Sequence, residues 1–84
     1  MRRSGTIAAI DNEQGAAAIA TPGRGYTIIE LDPGWDVQVG DRIEWDNEDG
    51  LGFETYENVT RGTRGDVFVQ NHDIDDTTLK LQFG

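Results

Sequence analysis

The sequence contains no cysteine, so it can form no disulfide framework, no thiolate metal site and no cysteine nucleophile. It also lacks any run of about 20 apolar residues, the length that a membrane-spanning helix needs. The first ten residues, MRRSGTIAAI, include two arginines but not the continuous apolar stretch of a secretory signal. These absences predict a soluble, cytoplasmic protein.

Positive charge is scarce, because 7 Lys and Arg residues stand against 16 Asp and Glu residues, for a net charge of −9 at pH 7. The acidity is concentrated in the middle third, residues 31–60, where Arg42 is the only basic residue. The acids of this third are Asp32, Asp36, Asp41, Glu44, Asp46, Glu48, Asp49, Glu54 and Glu57. Such a field repels phosphate backbones and attracts basic partners.

Helical periodicity is missing as well, since no window of eleven or more residues keeps an apolar face free of Gly or Pro. Short apolar segments between turn formers recur instead, which is typical of a small barrel or sandwich. The predicted strands are Thr6–Asp11, Ala16–Thr21, Tyr26–Asp32, Asp41–Asp46, Phe53–Thr60, Asp66–Asn71 and Thr77–Phe83. A chain of 84 residues is long enough for one domain, and we predict a single all-β domain over residues 1–84.

A five-residue signature occurs twice, as DNEQG at 11–15 and as DNEDG at 46–50. The surrounding segments align at a constant offset, so that Gly5 matches Gly40. Both copies predict hairpin turns, because Asp and Asn side chains close local turns and Gly supplies positive φ. The repeat is explained either by an ancient duplication or by two hairpins that need the same turn chemistry.

The segments GTIAAIDNEQG at 5–15, VGDRIEWD at 39–46 and ENVT at 57–60 resemble the cold-shock domain, a small five-stranded OB barrel. The resemblance implies an OB-like barrel core over residues 5–60, followed by a C-terminal β extension over residues 61–84. It also implies single-stranded nucleic-acid binding, in which bases stack on outward aromatic side chains.

Two registers of this resemblance place the ligand surface differently. In the first, the stacking positions of the first two strands fall on Ala8, Ala9 and the alanines of 16–18, which leaves Tyr26 and Ile28 on the third strand. In the second, IEWDNEDGLGF at 43–53 and GDVFVQNHDI at 65–74 supply the pattern. Its matching positions are Trp45, Leu51, Gly52, Phe53 and Phe68.

The candidate nucleic-acid-binding residues are Tyr26, Trp45, Phe53, Phe68, Arg61 and Arg64. Each has a simpler structural interpretation. Trp45 shares a strand face with Ile43 and is expected in the core. If Val67 and Val69 face the core, Phe68 is exposed and needs a partner surface. Two arginines in a glycine loop are more often solvated than bound to phosphate.

Catalytic and metal-binding signals are thin. His72 lies beside acids in QNHDIDD, but no nucleophile accompanies it, so we predict no enzyme. DNEDG resembles the middle of a calcium loop, yet the spacing would put Trp45 and Tyr56 at the first and last ligand positions, where carboxylates are needed. We therefore predict neither a metal nor a cofactor.

Two functions remain open for a non-enzymatic binding module that is a monomer or a homodimer. The first is weak single-stranded RNA or DNA binding with a regulatory role, as the resemblance implies. The second is protein interaction, in which the acidic residues 31–60 meet a basic partner or mimic the charge of a nucleic acid.

Overall fold

In the computed structural model, which describes residues 2–83 and only the backbone of Gln82, the chain forms six strands and one short helix. The strands are β1 (Arg3–Asp11), β2 (Ala16–Ala20), β3 (Tyr26–Leu31), β4 (Arg42–Trp45), β5 (Gly52–Asn58) and β6 (Thr63–Ile74), and the helix is α1 (Asp76–Phe83). Met1 and Gly84, the ends of the predicted domain, lie outside the described residues.

The strands form one closed antiparallel barrel in the order β1-β2-β3-β6-β5-β4, and β4 pairs with β1 to complete the ring. The prediction of a small all-β, OB-like barrel is confirmed, but the barrel has six strands where five were predicted. The additional strand is β6, which pairs with β3 on one side and with β5 on the other. Residues of the predicted C-terminal extension thus help to close the barrel.

The last predicted strand, Thr77–Phe83, is wrong, because these residues belong to α1. Asp75 caps this helix: its carboxylate Oδ1 accepts a hydrogen bond of 2.8 Å from the Thr78 N–H, and its carbonyl accepts one of 2.9 Å from the Leu79 N–H. The barrel that the described residues form is already closed, so it offers TLKLQF no free edge. Alternating apolar and polar residues do not form a strand when no neighbouring strand is free to pair with them.

The strand alternation sends one set of side chains into the barrel. Val67 and Val69 are buried and Phe68 between them is exposed, as the pattern predicts. The two largest fully buried side chains, Trp45 and Tyr56, stack with ring centroids 4.5 Å apart and planes within 2° of parallel. The rest of the buried core cluster comprises Ile7, Ala17, Ile19, Ile29, Trp35, Val37, Ile43, Val67 and Val69.

The outer face of β2 is buried as well. Ala16 and Ala18 are inaccessible although they alternate with the core residues Ala17 and Ile19. Ala16 and Phe83 of α1 border the same small cavity, and the helix contacts the neighbouring strand β1. The alanines of β2 are thus buried on both faces of the strand and are not left open to solvent.

The connection between β3 and β4 is attached to the barrel by Trp35. Its ring lies directly against β6, since a Cβ on Gly65 would come within 2.1 Å of the indole. The Trp35 Nε1–H donates a hydrogen bond of 3.1 Å to the Thr63 hydroxyl. Gly65 is thus required for a close approach of side chain to backbone and not for a turn.

A buried carboxylate holds the end of the same connection. The Asp41 Oδ2 accepts hydrogen bonds from the Gln38 N–H, the Asn58 amide and the Arg61 Nε–H at 2.9, 2.9 and 2.7 Å. Burial alone would raise the pKa of Asp41, but the hydrogen bonds from Asn58 and Arg61 outweigh it and lower that pKa below its usual value.

The two DNExG segments occupy equivalent turns, between the first and second strands of the two three-stranded meanders β1-β2-β3 and β4-β5-β6. Their side chains are used differently. The Asp11 Oδ1 accepts the N–H groups of Glu13 and Gln14, which closes a local turn. In the second copy, Asn47 instead reaches Glu54 on β5 through a hydrogen bond of 2.8 Å.

Candidate binding surface

An exposed aromatic pair lies on the outer face of β5 and β6. Phe53 and Phe68 are directly opposed across the two strands, and their rings meet edge to face with centroids 5.0 Å apart at 81°. Phe53 is 85% exposed and Phe68 is 37% exposed. Aromatic side chains left together in solvent mark a surface that can bind a partner. We call Phe53 and Phe68 the aromatic pair.

A shallow groove of about 410 Å³ runs beside the aromatic pair, toward the end of β3. Leu31 and Val67, cross-strand neighbours on β3 and β6, also border it, although the Val67 side chain belongs to the barrel core. The aromatic pair forms its other wall. We call it the first groove.

Carboxylates surround the first groove. Glu30 is the cross-strand neighbour of Phe68, while Asp32 and Asp66 border the same groove. All three are exposed, and none of them forms an ion pair within residues 2–83. The Asp66 Oδ1 accepts one hydrogen bond of 2.9 Å, from the Thr55 hydroxyl. We call Glu30, Asp32 and Asp66 the acidic rim; its carboxylates have no ion-pair partner within the described chain.

The arginines, in contrast, are mostly engaged by acids. Arg2 pairs with Glu44, Asp46 and Glu57, and the hydrogen bonds that it donates to Glu44 and Asp46 raise its pKa, the one to Glu44 most strongly. Four other arginines form ion pairs: Arg3 with Asp49, Arg24 with Asp73, Arg42 with Glu44 and Arg61 with Asp41. Most of the basic side chains that could contact phosphates are thus already used inside the protein.

Of the predicted stacking residues, the structure brings Phe53 and Phe68 together and separates Trp45 from them. Trp45 is 1% exposed, is covered by Tyr56 on one face, and donates its Nε1–H to the Glu48 carbonyl at 3.1 Å. It presents no face to a base. Trp45 therefore lies in the core, as its strand face with Ile43 indicates.

The remaining predicted site residues lie apart from the aromatic pair. Tyr26 is half-buried at the start of β3, where a hydrogen bond with Asp76 raises its pKa. Arg61 donates to the buried Asp41 and so has a structural partner. Arg64 is exposed on β6 opposite Glu57, on the same outer face as Asp66 and Phe68, and forms no ion pair within the described residues.

His72 links three parts of the barrel. Its Nδ1 lies 2.9 Å from the Thr27 hydroxyl on β3, and its Nε2 lies 3.1 Å from the Gly50 carbonyl in the loop between β4 and β5. Since a carbonyl only accepts, Nε2 carries a proton that it donates to Gly50. Both ring nitrogens are occupied by these contacts. Residues 2–83 contain no group of three or more His, Cys, Asp or Glu side chains that could hold a metal ion.

Sequence reasoning missed the acidic rim. Asp66 could have been found, because residues two apart on a strand share a face and Asp66 is two residues before Phe68. Glu30 could not, because its place beside Phe68 depends on the pairing of β3 with β6, strands far apart in the chain.

Comparison of the chain with protein-family models, with curated proteins and with solved structures returns no match. Within residues 2–83, no helix is long and apolar enough to cross a membrane.

Proposed function

We propose that this protein is a non-enzymatic interaction module that binds a basic polypeptide partner through the aromatic pair and the acidic rim. The observation that carries the proposal is the position of carboxylates, without ion-pair partners among residues 2–83, around the exposed rings of Phe53 and Phe68. Apolar side chains of a partner would cover the rings, while its Lys or Arg side chains would face Glu30, Asp32 and Asp66.

The size of the expected effect follows from the exposure of the rings. Burying a phenylalanine that is otherwise exposed contributes about 1.5–3 kcal/mol, and Phe53 has most of its surface to bury. Ordering a partner side chain costs about 0.5–1.5 kcal/mol, so the net contribution is about 1–2 kcal/mol. Phe53→Ala should therefore weaken binding by about 5- to 30-fold.

Single-stranded nucleic acid is the second candidate, supported by the two exposed rings on adjacent strands and by the resemblance to cold-shock domains. A base stacked on an aromatic side chain contributes about 1–3 kcal/mol. The charge opposes this candidate, because phosphates would approach the acidic rim while most arginines are engaged elsewhere.

Removing charge from the acidic rim separates the two candidates, because it should change the affinity for a basic peptide and the affinity for an oligonucleotide in opposite directions. The double variant Glu30→Gln, Asp66→Asn keeps the side-chain shapes and removes two negative charges. At about 0.2–1 kcal/mol for each exposed charge pair, it should weaken binding of the lysine-rich peptide KKLKLKK by about 2- to 30-fold. For labelled oligo-dT or oligo-U, the same variant removes repulsion and should strengthen any binding.

Each function variant has a matched control elsewhere on the surface. Leu81→Ala removes an exposed apolar side chain from α1, and Asp46→Asn removes an exposed negative charge. Neither residue borders the first groove. Fluorescence titrations at low and moderate salt give the affinities. The proposal fails if the peptide binds wild type and Phe53→Ala equally, or if wild type binds oligo-dT more tightly than the peptide.

A further inference from the structure

A second groove, of about 370 Å³, lies at the end of the barrel next to the first. Its apolar lining comes from Ile10 at the end of β1, Leu31 at the end of β3, and Trp35 and Val37 in the connection to β4. Trp35 is held in place by its contact with Gly65 and by its hydrogen bond to Thr63. We call this the second groove; its lining is fixed by the fold.

The two grooves adjoin each other, because Leu31 and Asp32 border both of them. This junction is anchored: the Leu31 N–H donates to the Gly15 carbonyl at 2.6 Å, and the Asp32 carbonyl accepts from the Trp35 N–H at 2.9 Å. A ligand that lies along the surface could therefore contact the aromatic pair in the first groove and Trp35 in the second.

The negative charge follows the same path. Asp36 borders the second groove as Asp32 does, is exposed, and forms no ion pair within residues 2–83. Arg61 lies within the electrostatic field of Asp36 but gives its Nε–H to Asp41 at 2.7 Å. From the aromatic pair to the barrel end, carboxylates thus border an apolar path, which is complementary to a basic and apolar chain.

The closed barrel restricts how such a chain can bind. The six strands follow one another in a closed ring, so the barrel has no edge strand that is unpaired along its whole length. The apolar lining of the two grooves offers such a chain contacts for its side chains. In an extended chain, residues two apart point to the same side, and the chain rises about 3.3 Å per residue, so two anchors on one side can lie close together.

We propose that the two grooves bind one extended segment of a basic polypeptide, with an apolar side chain in each groove and basic side chains facing Asp32 and Asp36. This inference rests on the proposed function and adds the form of the partner: two apolar anchors with basic flanks.

The two tryptophans provide a readout within the full-length chain. The Trp35 indole borders the second groove, whereas Trp45 is buried away from both grooves. Nitrogen-15 NMR spectra would be recorded while the peptides KKLKLKK and KKLKK are added. KKLKLKK should shift the Trp35 indole N–H and the Gly15 amide together with the Phe68 amide, leave the Trp45 indole unshifted, and bind about 10-fold more tightly than the one-leucine peptide.

A charge variant in the second groove tests the same point without disturbing the core. Asp36→Asn should weaken KKLKLKK by about 2- to 5-fold and leave KKLKK unchanged, since one exposed charge pair is lost. Asp46→Asn, which lies outside both grooves, is the matched control and should leave both affinities unchanged.

The possible outcomes distinguish this inference from the proposed function. Shifts at Phe68 without shifts at Trp35 and Gly15 would overturn the second groove and keep the proposed function. No shift at any of these signals would overturn both. Shifts of the same signals by oligo-dT, at an affinity above that of KKLKLKK, would assign the surface to nucleic acid and also overturn both.

Discussion

Replacing Tyr56 with phenylalanine should stabilise the protein. The Tyr56 side chain is 1% exposed, and its hydroxyl has no hydrogen-bond partner among the described residues. A buried polar group without a partner costs about 1–3 kcal/mol. Tyr56→Phe removes this cost and keeps the ring that stacks on Trp45 at 4.5 Å. The van der Waals contacts that the hydroxyl oxygen makes are lost in the variant, which reduces the gain by a few tenths of a kcal/mol. The expected gain in the free energy of unfolding is about 1–2 kcal/mol.

The same hydroxyl gives the prediction a pH dependence. Burial raises the pKa of Tyr56, so the folded phenol stays neutral above pH 10, where the phenol of the unfolded chain ionises. The free energy of unfolding of the wild type is therefore unaffected by this group below about pH 10 and falls as the pH rises above it. Tyr56→Phe lacks this titration. Its advantage over wild type should be about 1.4 kcal/mol larger at pH 11 than at pH 8.

Urea denaturation followed by tryptophan fluorescence at pH 8 and at pH 11 measures both effects. For a domain of this size, 1 kcal/mol also corresponds to a shift of about 4–8 °C in Tm. Tyr26→Phe is the control at pH 8, because the Tyr26 hydroxyl has a partner in Asp76 and its removal should bring no gain there. If Tyr56→Phe were less stable than wild type at pH 8, the Tyr56 hydroxyl would have a favourable partner and the reasoning would be refuted.

Three further variants test the fold. Gly65→Ala places a Cβ within 2.1 Å of the Trp35 ring and should cost about 1–3 kcal/mol of stability by urea denaturation, with a displaced Trp35 indole signal; an unchanged signal would contradict the packing. Asp41→Asn should be less stable than wild type at neutral pH, and the difference should shrink below about pH 4, because the lowered pKa of Asp41 stabilises the fold only while the carboxylate is ionised. A difference that stays constant to pH 2 would contradict it. Asp75→Ala removes the helix cap and should speed amide exchange in α1 but not in β6, whereas unchanged exchange in α1 would count against the cap.

Local pattern predicted much of the barrel. Six of the seven predicted strands overlap observed ones, since alternation and turn residues act between near neighbours in the chain. The alternation also predicted that Phe68 is exposed once Val67 and Val69 are buried. The prediction for the last segment was wrong, because Leu79 and Leu81 alternate as in a strand although Asp75 caps a helix there.

The candidate site was half predictable. Phe53 and Phe68 were named from the sequence, and they do share one exposed face. Trp45 was named with them, but it alternates with Glu44 on a strand whose inner face is filled by the stack on Tyr56. Which side of a strand faces inward depends on the whole barrel. A tryptophan can lie in the core or on a binding surface, so its identity alone does not decide which way it points.

The sequence by itself determined the composition of this surface: an excess of carboxylates, few basic residues, aromatic side chains on two strands, and turns that make hairpins. Only the tertiary structure decided how that charge is distributed. Closing the barrel brings Glu30 of β3 beside Phe68 of β6 and gives most arginines acidic partners elsewhere. The physical reason is distance along the chain. Turn and strand signals act over a few residues, whereas the order of strands around a closed barrel is set by packing among segments that are far apart.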